Sequence, residues 1–183
     1  MSRFGKPTFV YESVGSTMTV AADLVHSGTP AGTVVRARRQ TAGKGRRGRT
    51  WAAPADANVN CTLVCPVVGA DRRWELAPLA GVAVADALAL VAPTARPGLR
   101  FPNDVMLKGR KCAGVLVESA LSAEGVVPLV GIGINIRKGA LPPDVAVRAI
   151  ALEEVVGNDC SSVEAVAEAV VEAFGRWWDL WRE

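Results

Sequence analysis

Hydrophobic and polar residues follow two periods along this chain, one close to two and one close to three and a half, which predicts strands and helices in succession. Thr8 to Tyr11 mixes aromatic and β-branched residues and predicts a first strand. A helix follows, with Ser16 or Thr17 as its cap, Val20, Ala21, Leu24 and Val25 on its apolar face, and Gly28 at its end. Thr33 to Ala37 predicts a second strand and Asn58 to Val68 a third, in which Cys61, Leu63 and Cys65 share a face.

The apolar run Leu76 to Val91 predicts a helix buried on most sides, with Asp71 as its cap. Leu99 to Phe101 and Val105 to Leu107 are extended around Pro102-Asn103-Asp104, and Lys108-Gly109 makes a tight turn into a returning strand, Cys112 to Glu118. Val126 to Ile136 is a further strand, and its Gly131 and Gly133 mark a place where something approaches the backbone closely. Ser161-Ser162-Val163-Glu164 is a capping box for a closing helix carrying Val163, Val166, Val170, Phe174, Trp177 and Trp181. Short turns join most strands and regular βαβ alternation is missing. The expected fold is α+β, a mixed, mainly antiparallel sheet with helices packed against one face, in a single domain over 1–183.

Composition narrows the function classes. Half of the 183 residues are apolar, enough for a sizeable core, and the net charge of +3 is too small to predict a nucleic-acid or membrane partner. Four cysteines without a CxxC pair and a single histidine argue against a zinc site and for reduced, mostly buried thiols in a cytoplasmic protein. The N-terminus has no apolar core of the signal-peptide kind. The run from Leu76 is broken by Asp86 and falls short of the roughly 20 residues a membrane span needs.

Charge is concentrated in one place: Arg36, Arg38, Arg39, Lys44, Arg46, Arg47 and Arg49 fall in a stretch without an acid. Gly43-Lys44-Gly45-Arg46-Arg47-Gly48 matches G-x-G-x-x-G, but the proline and absent helical period after it do not supply the helix a dinucleotide fingerprint requires, and there is no G-K-[ST]. A solvated loop, a nucleic-acid contact and a lid over a small anion all fit this composition. No aromatic is interleaved in the run and the other candidate residues are mostly uncharged or acidic, which favours a small-molecule pocket.

Five segments in order resemble the biotin–protein ligase family: Ser16-Thr17; Gln40 to Trp51; Phe101-Pro102-Asn103-Asp104; Arg110 to Glu118; and Val130-Gly131-Ile132-Gly133-Ile134-Asn135. The resemblance implies a fold like the class II aminoacyl-tRNA synthetases and a two-step reaction, formation of biotinyl-5′-adenylate from biotin and ATP and transfer of biotin to a lysine of a carboxylase's biotin carrier domain. It implies a catalytic trio of Lys111, Arg46 and Asp104. Biotin would meet Ser16, Thr17, Met18, Gln40, Gly43, Lys44, Gly45, Arg46, Lys111 and Gly114. The nucleotide would meet Arg47, Arg49, Trp51, Asn103, Asp104 and Asn135, with Trp51 on the adenine side. Magnesium would ride on the ATP phosphates, with Asp104 as the candidate protein ligand, and a homodimer formed through the sheet is implied as well.

The chain departs from the family pattern at Lys44, where arginine is usual, at Arg100 and Phe101, which replace lysine and tryptophan, and at Met18, where asparagine is common. Lysine at 44 keeps the charge and loses the planar fork. Neither the DNA-binding domain of the repressor members nor the small SH3-like C-terminal barrel is expected in this chain. Two alternatives stay open: a lipoate- or octanoyl-transferring enzyme, and a biotin-binding sensor with impaired catalysis.

Overall fold

The computed structural model describes residues 3–51 and 54–183. Met1 and Ser2, part of the N-terminus read above, and Ala52 and Ala53, part of the segment after the basic loop, lie outside the described residues. The elements run β1 (Thr8–Val14), α1 (Thr17–His26), β2 (Val34–Gln40), β3 (Asn58–Val64), α2 (Leu76–Val91), β4 (Gly98–Arg100), β5 (Asp104–Leu107), β6 (Arg110–Ser122), β7 (Gly125–Asn135), α3 (Pro143–Ala146), α4 (Glu153–Val156) and α5 (Val163–Arg182).

Among the described residues the strands form one seven-stranded sheet in the order β1-β2-β3-β7-β6-β5-β4. β1 and β2 run parallel, joined through α1, and each remaining neighbour pair is antiparallel. This is the mixed, mainly antiparallel α+β architecture the sequence predicts.

The placement of the helices is different from expectation. α2 and α5 cover one face, with Val34, Cys61, Leu63, Val130, Ile132 and Ile134 beneath them. α1 packs on the opposite face over Val35, Val64 and Leu129. The reason is visible in β2, β3 and β7, where adjacent residues are both apolar: Val34 and Val35, Leu63 and Val64, Leu129 and Val130 each send one side chain to either face. A sheet whose centre is apolar on both sides must be covered on both, and α1 covers only part of its face.

Asp71 does not cap α2. A 3₁₀ turn, Arg73–Glu75, intervenes, and Glu75 precedes the helix without a side-chain cap. Glu75 instead accepts hydrogen bonds from Trp181 Nε1 at 2.5 Å and from Arg72. With its preceding turn, α2 is long and apolar enough to cross a membrane. Here Leu76, Leu79, Ala80, Ala83, Val84, Ala87 and Leu88 are buried against the sheet and α5, as in the core helix of a globular domain.

α5 starts at Ser162, whose hydroxyl accepts from Ala165 N at 3.1 Å. Its buried line is Val166, Val170, Phe174 and Trp178. Trp178, absent from the predicted line, is fully buried against Phe4 and Phe174. Trp177 and Trp181 lie at the helix edge, where their indole N–H groups donate to Asp86 and Glu75.

Cys61, Cys65 and Cys112 are buried, and burial pushes the Cys61 and Cys112 thiols up to about 12 and Cys65 up further still. Cys160 is partly exposed and is raised less. Since the thiolate is the reactive form, a neutral-pH titration with a chromogenic disulfide is expected to modify Cys160 slowly and the other three only after a denaturant is added. Rapid modification of two or more thiols in the native protein would contradict this packing.

Candidate functional site

β3 is buried along its whole length, yet every second residue is polar. Asn58, Asn60 and Thr62 face the α1 side, while Val59, Cys61 and Leu63 enter the core between the sheet and α2 and α5. Buried polar groups need partners, and these are found in a network at the start of α1. Thr62 Oγ1 bonds to Thr17 Oγ1 at 2.9 Å. Gln40, the last residue of β2, accepts through Oε1 from Thr17 N at 2.8 Å and from Thr17 Oγ1 at 3.1 Å, and donates through Nε2 to Asn60 Oδ1 at 3.4 Å. Ser16 is the α1 N-cap and accepts from Met18 N. Met18 is buried, and a methyl group placed on Gly131 would fall 2.7 Å from its Cε.

The basic loop leaves β2 directly beside this network. It folds back on itself: Trp51 N donates to Gly43 O at 2.9 Å and Gly45 N to Arg49 O at 2.7 Å. Between them Arg46–Gly48 make a single 3₁₀ turn with Arg47 in the left-handed region (φ 58°). A dinucleotide-binding helix therefore does not start here, in line with the sequence reading. Gly43 is required by this return, because a methyl group there would sit 2.5 Å from Trp51 O and 3.1 Å from Gln40 Nε2. Arg46 reaches across the site and donates to Asn103 Oδ1 at 2.6 Å, and Asn103 in turn donates to Val115 O at 2.9 Å. Lys44, Arg47 and Arg49 are exposed.

The floor is bare backbone. Gly114 on β6 pairs with Gly133 on β7, and Gly131 lies two residues before it on the same face. Lys111 bends over Gly114, with its Nζ 2.7 Å from where a Gly114 methyl would be. Its ammonium forms an ion pair with Asp104 Oδ1 at 2.7 Å, and Arg100 holds Asp104 Oδ2 at 2.7 Å. Burial alone would push the Asp104 carboxyl up; the hydrogen bonds from Lys111 and Arg100 outweigh it and hold it below the ordinary value of 3.8. A depressed carboxyl pKa stabilises the fold above the ordinary value and loses that contribution as pH falls through the lowered one. The Lys111–Asp104 pair therefore stays intact across the neutral and mildly acid range.

The structure thus brings together Thr17, Gln40, Gly43, Arg46, Trp51, Asn103, Asp104, Lys111 and Gly114, drawn from segments far apart in sequence. Ser16 and Met18 adjoin them in cap and packing roles. Asn135 lies on the Gly133 face with its amide committed to the frame, donating to Ile150 O at 3.4 Å and accepting from Asn58 at 3.5 Å. Trp51, read as an adenine neighbour, has its indole against Gly133 and Gly114, 5.6 Å from Lys111 Nζ. Asn60, Thr62 and Arg100 enter the site without having been named for it. For Asn60 and Thr62 the signal was present as a period-two polar series inside a strand otherwise apolar.

Among the described residues no three His, Cys, Asp or Glu side chains converge as a metal site. Both Asp104 oxygens are engaged by cations, an arrangement that does not fit a protein-held magnesium ion, so Asp104 as its ligand is not supported.

Residues 10–135 match the Biotin/lipoate A/B protein ligase family. The chain is similar to a biotin–[acetyl-CoA-carboxylase] ligase of Paracoccus denitrificans, 37% identical over 154 residues, covering 78% of this chain and 61% of that protein. It is similar to a protein of the same name from Mycobacterium tuberculosis, 40% identical over 111 residues, covering 58% of this chain and 40% of the relative. Its fold superposes on the biotin protein ligase from Aquifex aeolicus in complex with biotin and ATP, with TM-score 0.80, 27% identity, and coverage of 95% of this chain and 71% of the other. The chain therefore spans less than two thirds of the length of the curated relatives it matches.

Proposed function

Because the chain belongs to the Biotin/lipoate A/B protein ligase family, we propose that it is the catalytic domain of an ATP-dependent biotin–protein ligase. The observation that carries this reading is the convergence of Lys111 and the Arg46 loop over the glycine floor, with the Thr17–Gln40 network beside it.

The chemistry follows from charge. A biotin carboxylate oxygen must attack the α-phosphorus of ATP, two anions that repel each other, and pyrophosphate must leave. Preorganised cations in a site with little water lower that barrier. Lys111 would neutralise the carboxylate and then the bridging oxygen of the adenylate. Arg46, released from Asn103, would present its planar fork to the α-phosphate, with Arg47 and Arg49 nearer the departing pyrophosphate. Asp104 fixes the Lys111 ammonium in place, and Arg100, on the other carboxylate oxygen, holds Asp104 in position. Gln40, Thr17, Asn60 and Thr62 supply the donors and acceptors a cyclic urea needs. In the second step a carrier-domain lysine, as free amine, attacks the acyl carbon; the amide forms, AMP leaves, and the amine's proton passes to solvent. Magnesium belongs to this reading as the counter-ion of ATP, part of the substrate, and a cytoplasmic location is proposed with it. We propose the acceptor to be the biotin carrier domain of a carboxylase, with no nucleic acid or membrane as partner, and pairing of two copies through the sheet.

The test is pyrophosphate release on mixing protein, ATP and biotin, run in parallel with lipoate and octanoate. Release with biotin alone is the expected result. Release with lipoate or octanoate alone assigns the other branch of the family, and biotin binding without release assigns a sensor.

A further inference from the structure

The two ends of the glycine floor differ in chemistry. Lys111 stands over Gly114 at one end. Gly114 pairs with Gly133, and Gly131, the partner of Leu116, lies further from Lys111 on the same face, a step of about 7 Å along the strand. At Gly131 the covering groups are Met18 and Thr62: a methyl placed on Gly131 would fall 2.7 Å from Met18 Cε and 3.8 Å from Thr62 Oγ1. Leu116 packs with Met18 in the same apolar cluster.

The end remote from Lys111 is thus divided. One wall is the polar network of Thr17, Gln40, Asn60 and Thr62. The other is Met18 with Leu116, and neither side chain carries a donor; a thioether is at best a weak acceptor. Met18 is 3% exposed. It is held at the helix start, where its own N–H donates to the Ser16 cap and the preceding Thr17 is tied to Gln40. A ligand whose carboxylate reaches Lys111 puts its head into this divided end. The edge of the head that meets the network can be polar. The edge that meets Met18 has to be apolar, because a polar atom there loses its bonds to water and gains no donor.

We propose that Met18 is a specificity-determining residue, selecting ring ligands that are polar on one edge and apolar on the other and rejecting those that carry oxygen on the Met18 edge. This rests on the ligase reading for the identity of the ligand. Biotin, a bicyclic ring with a urea on one edge and a thioether on the other, meets both walls. Biotin sulfone, which differs only by oxygens on the ring sulfur, puts polar atoms against Met18.

The experiment measures biotin and biotin sulfone by calorimetry on the full chain and on Met18→Leu, Met18→Gln and Met18→Thr, with a thermal melt to identify the folded variants. The wild type and Met18→Leu are expected to favour biotin about 10²-fold, the order of discrimination an apolar pocket achieves against an added polar group. In Met18→Gln and Met18→Thr a donor faces the sulfone, and the preference is expected to fall to about tenfold or less through tighter binding of the sulfone. A merely structural role would not give that gain, since lost packing weakens both ligands. Wild-type binding of the sulfone within about threefold of biotin, or an unchanged preference in the folded donor variants, overturns the role of Met18 and leaves the ligase reading standing. The wild-type preference decides alone where neither donor variant folds. Absence of any biotin binding overturns the ligase reading itself, and the selectivity with it.

Discussion

Lys111→Ala is expected to lower the rate of biotinyl-adenylate formation by about 10²- to 10³-fold, the range found when one preorganised charge-stabilising donor is removed. The wild-type ammonium sits over Gly114, held by Asp104 at 2.7 Å. The other cation that reaches across the site, Arg46, is bound to Asn103, and Arg100 is directed at Asp104. With Lys111 gone, neither is placed where charge develops on the bridging oxygen. Biotin binding should weaken less, by roughly 1.5–2 kcal/mol, the lower part of the range for a hydrogen bond to a charged group, against about 2.7–4 kcal/mol for the rate. The rate effect is therefore larger than the loss of ground-state affinity.

The fold should be nearly indifferent to the same change. The Lys111 side chain keeps 28% of its exposure, and Asp104 retains its 2.7 Å bond to Arg100, so no carboxylate is left buried without a partner. A partly exposed substitution of this kind changes stability by about 0.5 kcal/mol, a shift of roughly 1–2 °C in Tm for a chain of this length. Single-turnover pyrophosphate release and a thermal melt separate the two outcomes. Wild-type turnover would remove Lys111 from the chemistry, and a Tm drop of many degrees would make its role structural. Lys111→Arg adds a control, since it keeps the charge and changes only the shape of the donor.

The parts of this site that could be read from sequence are those in which residue type alone limits the chemistry. Gly43 is one, because its loop can return past Gln40 only without a side chain. Lys111, Asp104 and Asn103 are legible only through the resemblance of the ordered motifs that carry them. What could not be read is which groups bond to one another. Arg46 spans from residue 46 to 103, and Thr62 bonds to Thr17 across 45 residues; neither pairing leaves a local trace. The side of the sheet that α1 covers was legible in principle, since Val34-Val35, Leu63-Val64 and Leu129-Val130 declare two apolar faces. Each pair sends one apolar side chain to either face, so a single covered face would leave one of the two in water. Asp71 is a residue type that commonly caps helices, but the 3₁₀ turn at Arg73–Glu75 decides where α2 begins.

The second large effect concerns α5, which lies on the opposite face of the sheet from the site. Trp178 is fully buried between Phe4, Phe174 and Trp181, with ring centroids 5.2–5.9 Å apart. Trp178→Ala removes a large ring from a close-packed interior and is expected to destabilise the fold by about 3–5 kcal/mol. That is a large share of the 5–15 kcal/mol typical of a domain. Trp178→Phe should cost much less than its lost volume suggests. The Trp178 indole N–H is buried with no hydrogen-bond partner, so phenylalanine also removes an unsatisfied donor, a relief of about 1–3 kcal/mol. The two terms oppose each other, and a net change within about 1 kcal/mol of wild type follows. Urea denaturation of the three proteins reads this directly. A Trp178→Phe variant as unstable as Trp178→Ala would mean that the indole nitrogen has a partner after all. Because α5 does not reach the Lys111 side of the sheet, both variants should bind biotin with wild-type affinity wherever they remain folded, and so separate what holds the sheet together from what its other face does.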